Sequence, residues 1–313
     1  MIVTVTPNPS VDRTLSVERM THGDVLRATN SWSEPSGKGV NVSLALLGHG
    51  YATRALLPIG GAEGARLEAM LRAAGLDYVP VPIDGEIRSN VSVLEPDGTV
   101  TKVNEPGPEL SEAELKALID AVAAIGEGAG WIVGCGSLPV GTPADFYADM
   151  VAAARGTSAR IAVDSSGPSL TAVLAAGPDL IKPNAAELAE AAGRPVETLG
   201  DALTAAHVLQ DLGAKSVLAS LGPDGAVLVE GGEAVHGEAY VAETRSTVGA
   251  GDALLAGFLA AGGRGPEALR SALGWSAAAV RQPGTVLRAD GTDTAAEVTL
   301  HDRVDVDRRL RHS

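Results

Sequence analysis

Four short apolar runs decide the fold: Trp131-Ile-Val-Gly-Cys135, Arg160-Ile-Ala-Val163, Asp179-Leu-Ile181 and Val217-Leu-Ala-Ser220. Each is bounded by turn residues. Helical stretches rich in Ala, Leu and Glu lie between them, at 143–154, 185–192 and 202–212. Runs that are apolar throughout suit strands buried on both faces, and their alternation with helices is the pattern of βα units in a mostly parallel sheet. The same alternation extends toward the N-terminus. Ile2-Val-Thr-Val-Thr6 reads as an opening strand, 40–47 as a helix stopped by Gly48 and Gly50, 53–58 as a strand, and 64–74 as a helix ended by Gly75. Ser111-Glu-Ala-Glu114 is a capping box and predicts a helix over 111–125. Helices over 249–262 and 266–280 complete the series.

Two stretches break the alternation. Residues 11–34 alternate polar and apolar without a helix. Residues 86–103 read as a hairpin, Ser89–Glu95 and Thr99–Val103 around a Pro96-Asp-Gly98 turn. Neither stretch has a helix to cover a second face, so together they predict a small β appendage on one α/β domain spanning 1–313. No linker, low-complexity run or 20–50-residue repeat divides the chain. The charge-dense segment 302–311 reads as a solvated surface tail.

The chain has 313 residues, with 24 Lys+Arg against 39 Asp+Glu and a net charge of −15. That balance argues against a basic face for nucleic acid or anionic lipid, but leaves room for a local cationic pocket. At 3% aromatic content, the chain is too poor in rings for a base-stacking platform. A single cysteine excludes an intrachain disulfide framework, and Cys135, inside an apolar run, reads as a small buried hydrophobe. The start MIVTVTPNPS lacks a positive n-region and a long apolar stretch, and no window reaches the ~18–20 apolar residues of a membrane span. These features predict a cytoplasmic chain, in which the sequons at Asn41 and Asn90 are chance matches.

The chemistry concentrates in Ser246-Thr-Val-Gly-Ala-Gly-Asp-Ala-Leu-Leu-Ala-Gly-Phe258. A polar turn feeds Gly249-Ala250-Gly251 directly into a helix, and successive N–H groups at a helix N-terminus make an anion site. Asp252 stands in the first turn, where it could also merely complement the helix dipole, worth ~0.3–1 kcal/mol. Two other phosphate motifs fail on spacing. Leu254 occupies the third glycine position of G-x-G-x-x-G, and Gly39 and Trp32 break a Walker A reading around Gly37-Lys38. Glu34-Pro-Ser-Gly-Lys-Gly-Val-Asn41 again places glycines ahead of a helix, with Lys38 suited to a phosphate and Asn41 to hydroxyls. Lys182-Pro-Asn-Ala-Ala-Glu187 follows a strand, and its Asn184 and Glu187 equally make a good capping box. The six histidines show no paired metal-ligand spacing.

Six segments in this order resemble the ribokinase/PfkB family of sugar kinases, over nearly the whole chain to about residue 285. They are S-G-K-G-V-N at 36–41, G-S-L-P at 136–139, V-D-S-S-G at 163–167, K-P-N-x-x-E at 182–187, S-L-G-x-x-G at 220–225 and S-T-V-G-A-G-D at 246–252. Ser36 stands where the family usually has glycine. T-P-N-P-S-V-D at 6–12, the lysine in G-K-G, I-R-S-N at 87–90 and T-K-V-N-E-P-G-P at 101–108 resemble the phosphosugar branch of that family. It is most similar there to kinases of D-fructose 1-phosphate. Tagatose-6-phosphate and 6-phosphofructokinase activities remain alternatives within the branch, and a non-catalytic sugar-phosphate sensor is an alternative outside catalysis.

The resemblance implies a ribokinase-like three-layer α/β/α fold with a β lid formed from about 11–34 and 86–103, and a homodimer joined through that lid. It implies ATP as phosphoryl donor with Mg²⁺. Asp252 would be the general base, and the N–H groups of Gly249, Ala250 and Gly251 the anion hole. Asp12, Gly37, Lys38, Asn41, Arg88, Asn90 and Lys102 would hold the phosphosugar. Lys182, Asn184, Glu187, Ser220, Gly222 and Gly225 would line the nucleotide site, with Glu187 orienting magnesium through water.

Overall fold

In a computed structural model, which describes residues 1–282, 297–301 and 303–311, strand β1 (Ile2–Val5) is buried along its whole length. Its side chains alternate between two cores: Ile2 faces one, Val3 and Val5 the other. That two-sided burial is what a continuous apolar run in a parallel sheet requires. β1 leads into β2 (Ser10–Ser16) and β3 (Asn30–Ser36), then α1 (Lys38–Gly48). β4 (Thr53–Ile59), α2 (Gly61–Ala74), β5 (Tyr78–Pro82), β6 (Arg88–Leu94) and β7 (Val100–Val103) follow. Next come α3 (Glu112–Ile125), β8 (Trp131–Cys135), α4 (Phe146–Ala154), β9 (Arg160–Asp164), α5 (Gly167–Leu174), β10 (Leu180–Ile181), α6 (Ala185–Ala192) and α7 (Leu199–Asp211). The remainder is β11 (Ser216–Ser220), β12 (Ala226–Glu230), β13 (Glu233–Ala239), α8 (Ala250–Ala260), α9 (Gly265–Val280) and β14 (Val298–His301).

The main sheet has the order β14-β13-β12-β11-β10-β9-β8-β1-β4-β5. The strands from β11 to β5 are parallel and the other three antiparallel, so the predicted mostly parallel sheet is observed. Leu254, Phe258, Leu269 and Leu273 of α8 and α9 pack with Leu46 of α1 on one face. Leu67, Leu118, Met150, Leu170, Leu188 and Leu209, from α2 to α7, cover the other. The expected α/β/α layering is thus present. None of the helices among the described residues is long and apolar enough to cross a membrane.

The predicted appendage is a separate sheet of order β3-β2-β6-β7. Ser10–Ser16 pairs antiparallel with Asn30–Ser36 and parallel with Arg88–Leu94. The Pro96–Gly98 turn closes the hairpin, with Gly98 at φ 90°. The capping boxes at Ser111 and Asn184 form as read. The helix read from 202 starts at Leu199 instead, because Thr198 and Asp201 make a third capping box. Segment 302–311 is corrected. Residue 302 lies outside the described residues; most of 303–311 is exposed as expected, but the segment is anchored and not loose, since Leu310 is buried in the core and Arg308 and Arg311 pair with Asp224.

Candidate active site

β1 sits between β4 and β8, so the strand order runs to β4 and β5 on one side of it and to β8 through β11 on the other. In open α/β sheets, ligands bind outside the carboxyl ends of the strands near such a switch in order. Among the described residues, the buried charged groups Asp164, Lys182 and Asp252 lie there, while Asp224 is buried in the turn after β11. Asp164 is the last residue of β9, Lys182 follows β10, Ser220 ends β11 and Asn8 follows β1.

Asp252 is the third residue of α8 and is 8% exposed. The helix begins from Gly249 in the left-handed region at φ 80°, a conformation a β-carbon would strain. The first N–H groups of any helix lack partners within it; here the Ala250 N–H makes a long 3.4 Å turn bond to the Thr247 carbonyl, and Gly249-Ala250-Gly251 brings only one methyl group to the turn. A β-carbon on Gly251 would lie 3.4 Å from Lys182 Nζ, which places that ammonium beside the same turn. Asn41 Nδ2 of α1 donates to Asp252 Oδ2 at 2.8 Å. Burial first, and the Asp164 charge second, raise the Asp252 carboxyl to about 6; Asn41, Lys38 and Lys182 oppose the rise.

Asp164 is the residue that sequence reasoning missed. Its carboxylate is fully buried and joins Lys38 Nζ at 2.9 Å and Lys182 Nζ at 3.1 Å. Burial alone would raise its pKa, but the two ammonium groups outweigh it and hold the carboxyl below its ordinary value. The same carboxylate, with Glu187 at 3.9 Å, raises the pKa of Lys38 against the opposing effect of burial. The available signal was an aspartate closing the apolar run 160–163. Lys38 is therefore no isolated phosphate ligand but half of a lysine pair sharing one carboxylate. Two ammonium groups here face three carboxylates, of Asp164, Asp252 and Glu187.

The phosphosugar residues split into two groups. Asp12 accepts from Ser10 Oγ at 2.7 Å, Asn90 Nδ2 at 2.9 Å and Ser36 Oγ at 3.0 Å, so both of its oxygens are oriented. Arg88 Nη2 donates to the Asn8 carbonyl at 3.0 Å and Nη1 to the Glu105 carbonyl at 3.2 Å; its Nε is buried without a partner. A shallow depression of about 320 Å³ lies against Arg88, Glu105 and Gly107. Gly37 holds φ 120° at the start of α1, where a β-carbon would come within 2.7 Å of Thr6 Cγ2. Lys102 stands apart, exposed on the edge strand β7 opposite Ser92.

Asn184 and Glu187 form their capping box through Glu187 Oε2, while Oε1 approaches Lys38. The capping and functional readings of this pair thus use different oxygens. Ser220 bridges to Asn184 and its N–H donates to the Pro183 carbonyl at 3.0 Å. Beyond it, Gly222 and Gly225 turn with φ 59° and 79°, and a β-carbon on Gly225 would strike the Gly237 carbonyl oxygen at 2.0 Å. Among the described residues, no cluster of three or more His, Cys, Asp or Glu side chains could cage a metal.

Residues 6–290 match the family model described as pfkB family carbohydrate kinase. The chain is 41% identical over 295 residues to the 1-phosphofructokinase of Rhodobacter capsulatus, covering 90% of this chain and 91% of that one. It is 34% identical over 257 residues to the ATP-dependent 6-phosphofructokinase isozyme 2 of Escherichia coli, covering 81% and 83%. The structure of the tetrameric inhibited form of phosphofructokinase-2 from Escherichia coli superposes with a TM-score of 0.85 at 32% identity, covering 90% of this chain and 94% of that one. The chain belongs to the pfkB family of carbohydrate kinases.

Proposed function

We propose that the chain transfers the γ-phosphoryl group of ATP to the 6-hydroxyl of D-fructose 1-phosphate, giving D-fructose 1,6-bisphosphate and ADP. The observation that carries this reading is Asp252: a buried carboxylate, oriented by Asn41 and raised to about 6, in the first turn of a helix that no side chain caps. A base works best with a pKa near the working pH, and removing the hydroxyl proton is worth ~10²–10⁴-fold. The oxygen freed of its proton attacks the γ-phosphorus, and the bond to the β-phosphate oxygen breaks. The N–H groups of Gly249, Ala250 and Gly251 receive charge on the phosphoryl oxygens, with Lys182 beside them.

Asp12 and Asn41 hold sugar hydroxyls. Arg88, Asn90 and Lys38 form the side that takes the 1-phosphate, with Lys102 outside the contacts seen here. Ser220, Gly222 and Gly225 line the nucleotide pocket with Asn184. Glu187, with Asn184, would orient Mg²⁺ through water when ATP brings it, and the ion would neutralise phosphate charge at a cluster whose carboxylates outnumber its ammonium groups. The β3-β2-β6-β7 sheet acts as a lid that excludes water from the phosphoryl group, which limits ATP hydrolysis. Val25 is 83% exposed on the lid, and this sheet is the proposed dimer surface.

A coupled ADP-release assay across fructose 1-phosphate, fructose 6-phosphate, tagatose 6-phosphate and ribose tests the reading. The expected result is a kcat/KM at least tenfold higher for fructose 1-phosphate than for the others. Preference for a 6-phosphate would move the activity to the 6-phosphofructokinase or tagatose-6-phosphate type, and comparable rates with ribose would remove the phosphosugar assignment.

A further inference from the structure

The turn between Ser220 and Gly225 is held from behind by the end of the chain. Asp224, inside this turn, has a carboxylate that is 1% exposed. It accepts from Arg308 Nη2 at 3.0 Å, from Arg311 Nε at 3.0 Å and from the Arg311 backbone N–H at 2.6 Å. The Asp224 carbonyl accepts from His236 Nε2 at 2.8 Å, and Arg311 also donates to the Pro223 carbonyl. Arg308 grips Glu238 of β13 as well, at 3.1 and 2.8 Å, and its hydrogen bonds lead the causes that hold that carboxyl down at about 2.

The segment that carries these arginines is itself anchored. Leu310 is buried in the core, and its N–H donates to the Glu197 carbonyl at 2.8 Å. The Arg308 and Val306 carbonyls accept from the N–H groups of Leu199 and Gly200 at the start of α7, each at 3.0 Å. None of these residues reaches Asp252 or Asp164, so the chemistry above does not use them. They tie the turn to β13 and to the start of α7. Gly225 packs its backbone against Gly237, which leaves the turn pressed on β13 with its position set by the Asp224 contacts. An uncompensated carboxylate in a turn that receives a polyphosphate would repel it, and a forked guanidinium is the side chain that cancels such a charge while fixing its direction.

We propose that Arg308, assisted by Arg311, is a positioning residue for the nucleotide: through Asp224 it fixes the 220–225 turn and cancels the negative charge there. This rests on the reading that the turn lines the nucleotide pocket. The test is isothermal titration with ADP, together with the KM values for ATP and for fructose 1-phosphate, on the full chain and on Arg308→Met. The expected result is about tenfold weaker ADP binding and a matching rise in the ATP KM, with the sugar KM within twofold of the parent. Arg308→Lys, which keeps the charge but loses the fork, is expected to fall between the two, and it carries the comparison if the Met variant does not fold. Unchanged ADP affinity, or equal losses for both substrates, would overturn the proposal. A parent protein that binds ADP but does not phosphorylate the sugar would instead remove the proposed function, and the ADP titration would still read the clasp.

Discussion

Asn41 Nδ2 donates to Asp252 Oδ2 at 2.8 Å and so joins the start of α1 to the start of α8 across 211 residues of chain. The bond orients one carboxylate oxygen and leaves the other to meet a hydroxyl. It also lowers the carboxyl pKa against burial, which is how a group this buried stays largely ionised near pH 7.

The pH dependence follows with its sign. Asp252 must be ionised to accept a proton, so kcat/KM is expected to fall about tenfold per pH unit below about 6. A flat profile between pH 5 and 7 would contradict the base assignment. Stability runs the other way. A carboxyl raised in the fold stabilises it fully below the unfolded pKa, and that contribution is lost as pH rises through about 6. Asp252→Asn is therefore expected to be more stable than the parent at pH 7, by up to ~3 kcal/mol and a few degrees in Tm, with the difference vanishing below about pH 4.

Asp164 is the counter-charge for both lysines. Asp164→Asn removes one of the causes that raise Asp252, so the acid limb of the pH profile is expected to shift below 6. It also leaves the buried Lys182 ammonium without its carboxylate, at a cost of about 3–5 kcal/mol read as a fall in Tm. An acid limb that stays in place would show that the two aspartates do not interact.

Arg88 carries a buried Nε without a partner, which suits a ligand oxygen. Arg88→Ala is expected to raise the KM for fructose 1-phosphate tenfold or more, with the ATP KM within twofold. Equal effects on both would place Arg88 outside the sugar site.

Glu187→Gln keeps the capping box, since Gln serves at that position, but removes the charge near Lys38. The Mg²⁺ concentration needed for half-maximal activity is expected to rise several-fold. An unchanged magnesium titration, with an unchanged Tm, would return Glu187 to its capping role alone.

The parallel strands were legible because burial on both faces forces continuous apolar runs, as in 131–135 and 217–220. The helix starts were legible where capping residues stood in order. β5 was not, because Pro80 and Pro82 argue against a strand; they are tolerated here because β5 is the outermost strand of its sheet. The β12–β13 hairpin had a signal, Gly231-Gly232 after the apolar run 226–229, with both glycines at positive φ. At the site, Asp252, Asn41 and Asp12 could be read from motifs. Asp164 could not be read as a shared counter-charge, because no spacing in the sequence says that two lysines 144 positions apart converge on it. The paired arginines of 303–311 were illegible for the same reason: local charge density looks alike whether a segment is solvated or locked to a buried aspartate.

The most direct measurement is the turnover of Asp252→Asn with ATP and fructose 1-phosphate, alongside its ATP affinity. The account predicts a kcat lowered at least 100-fold with ATP binding within about twofold of the parent. A variant that turns over at the parental rate would contradict it.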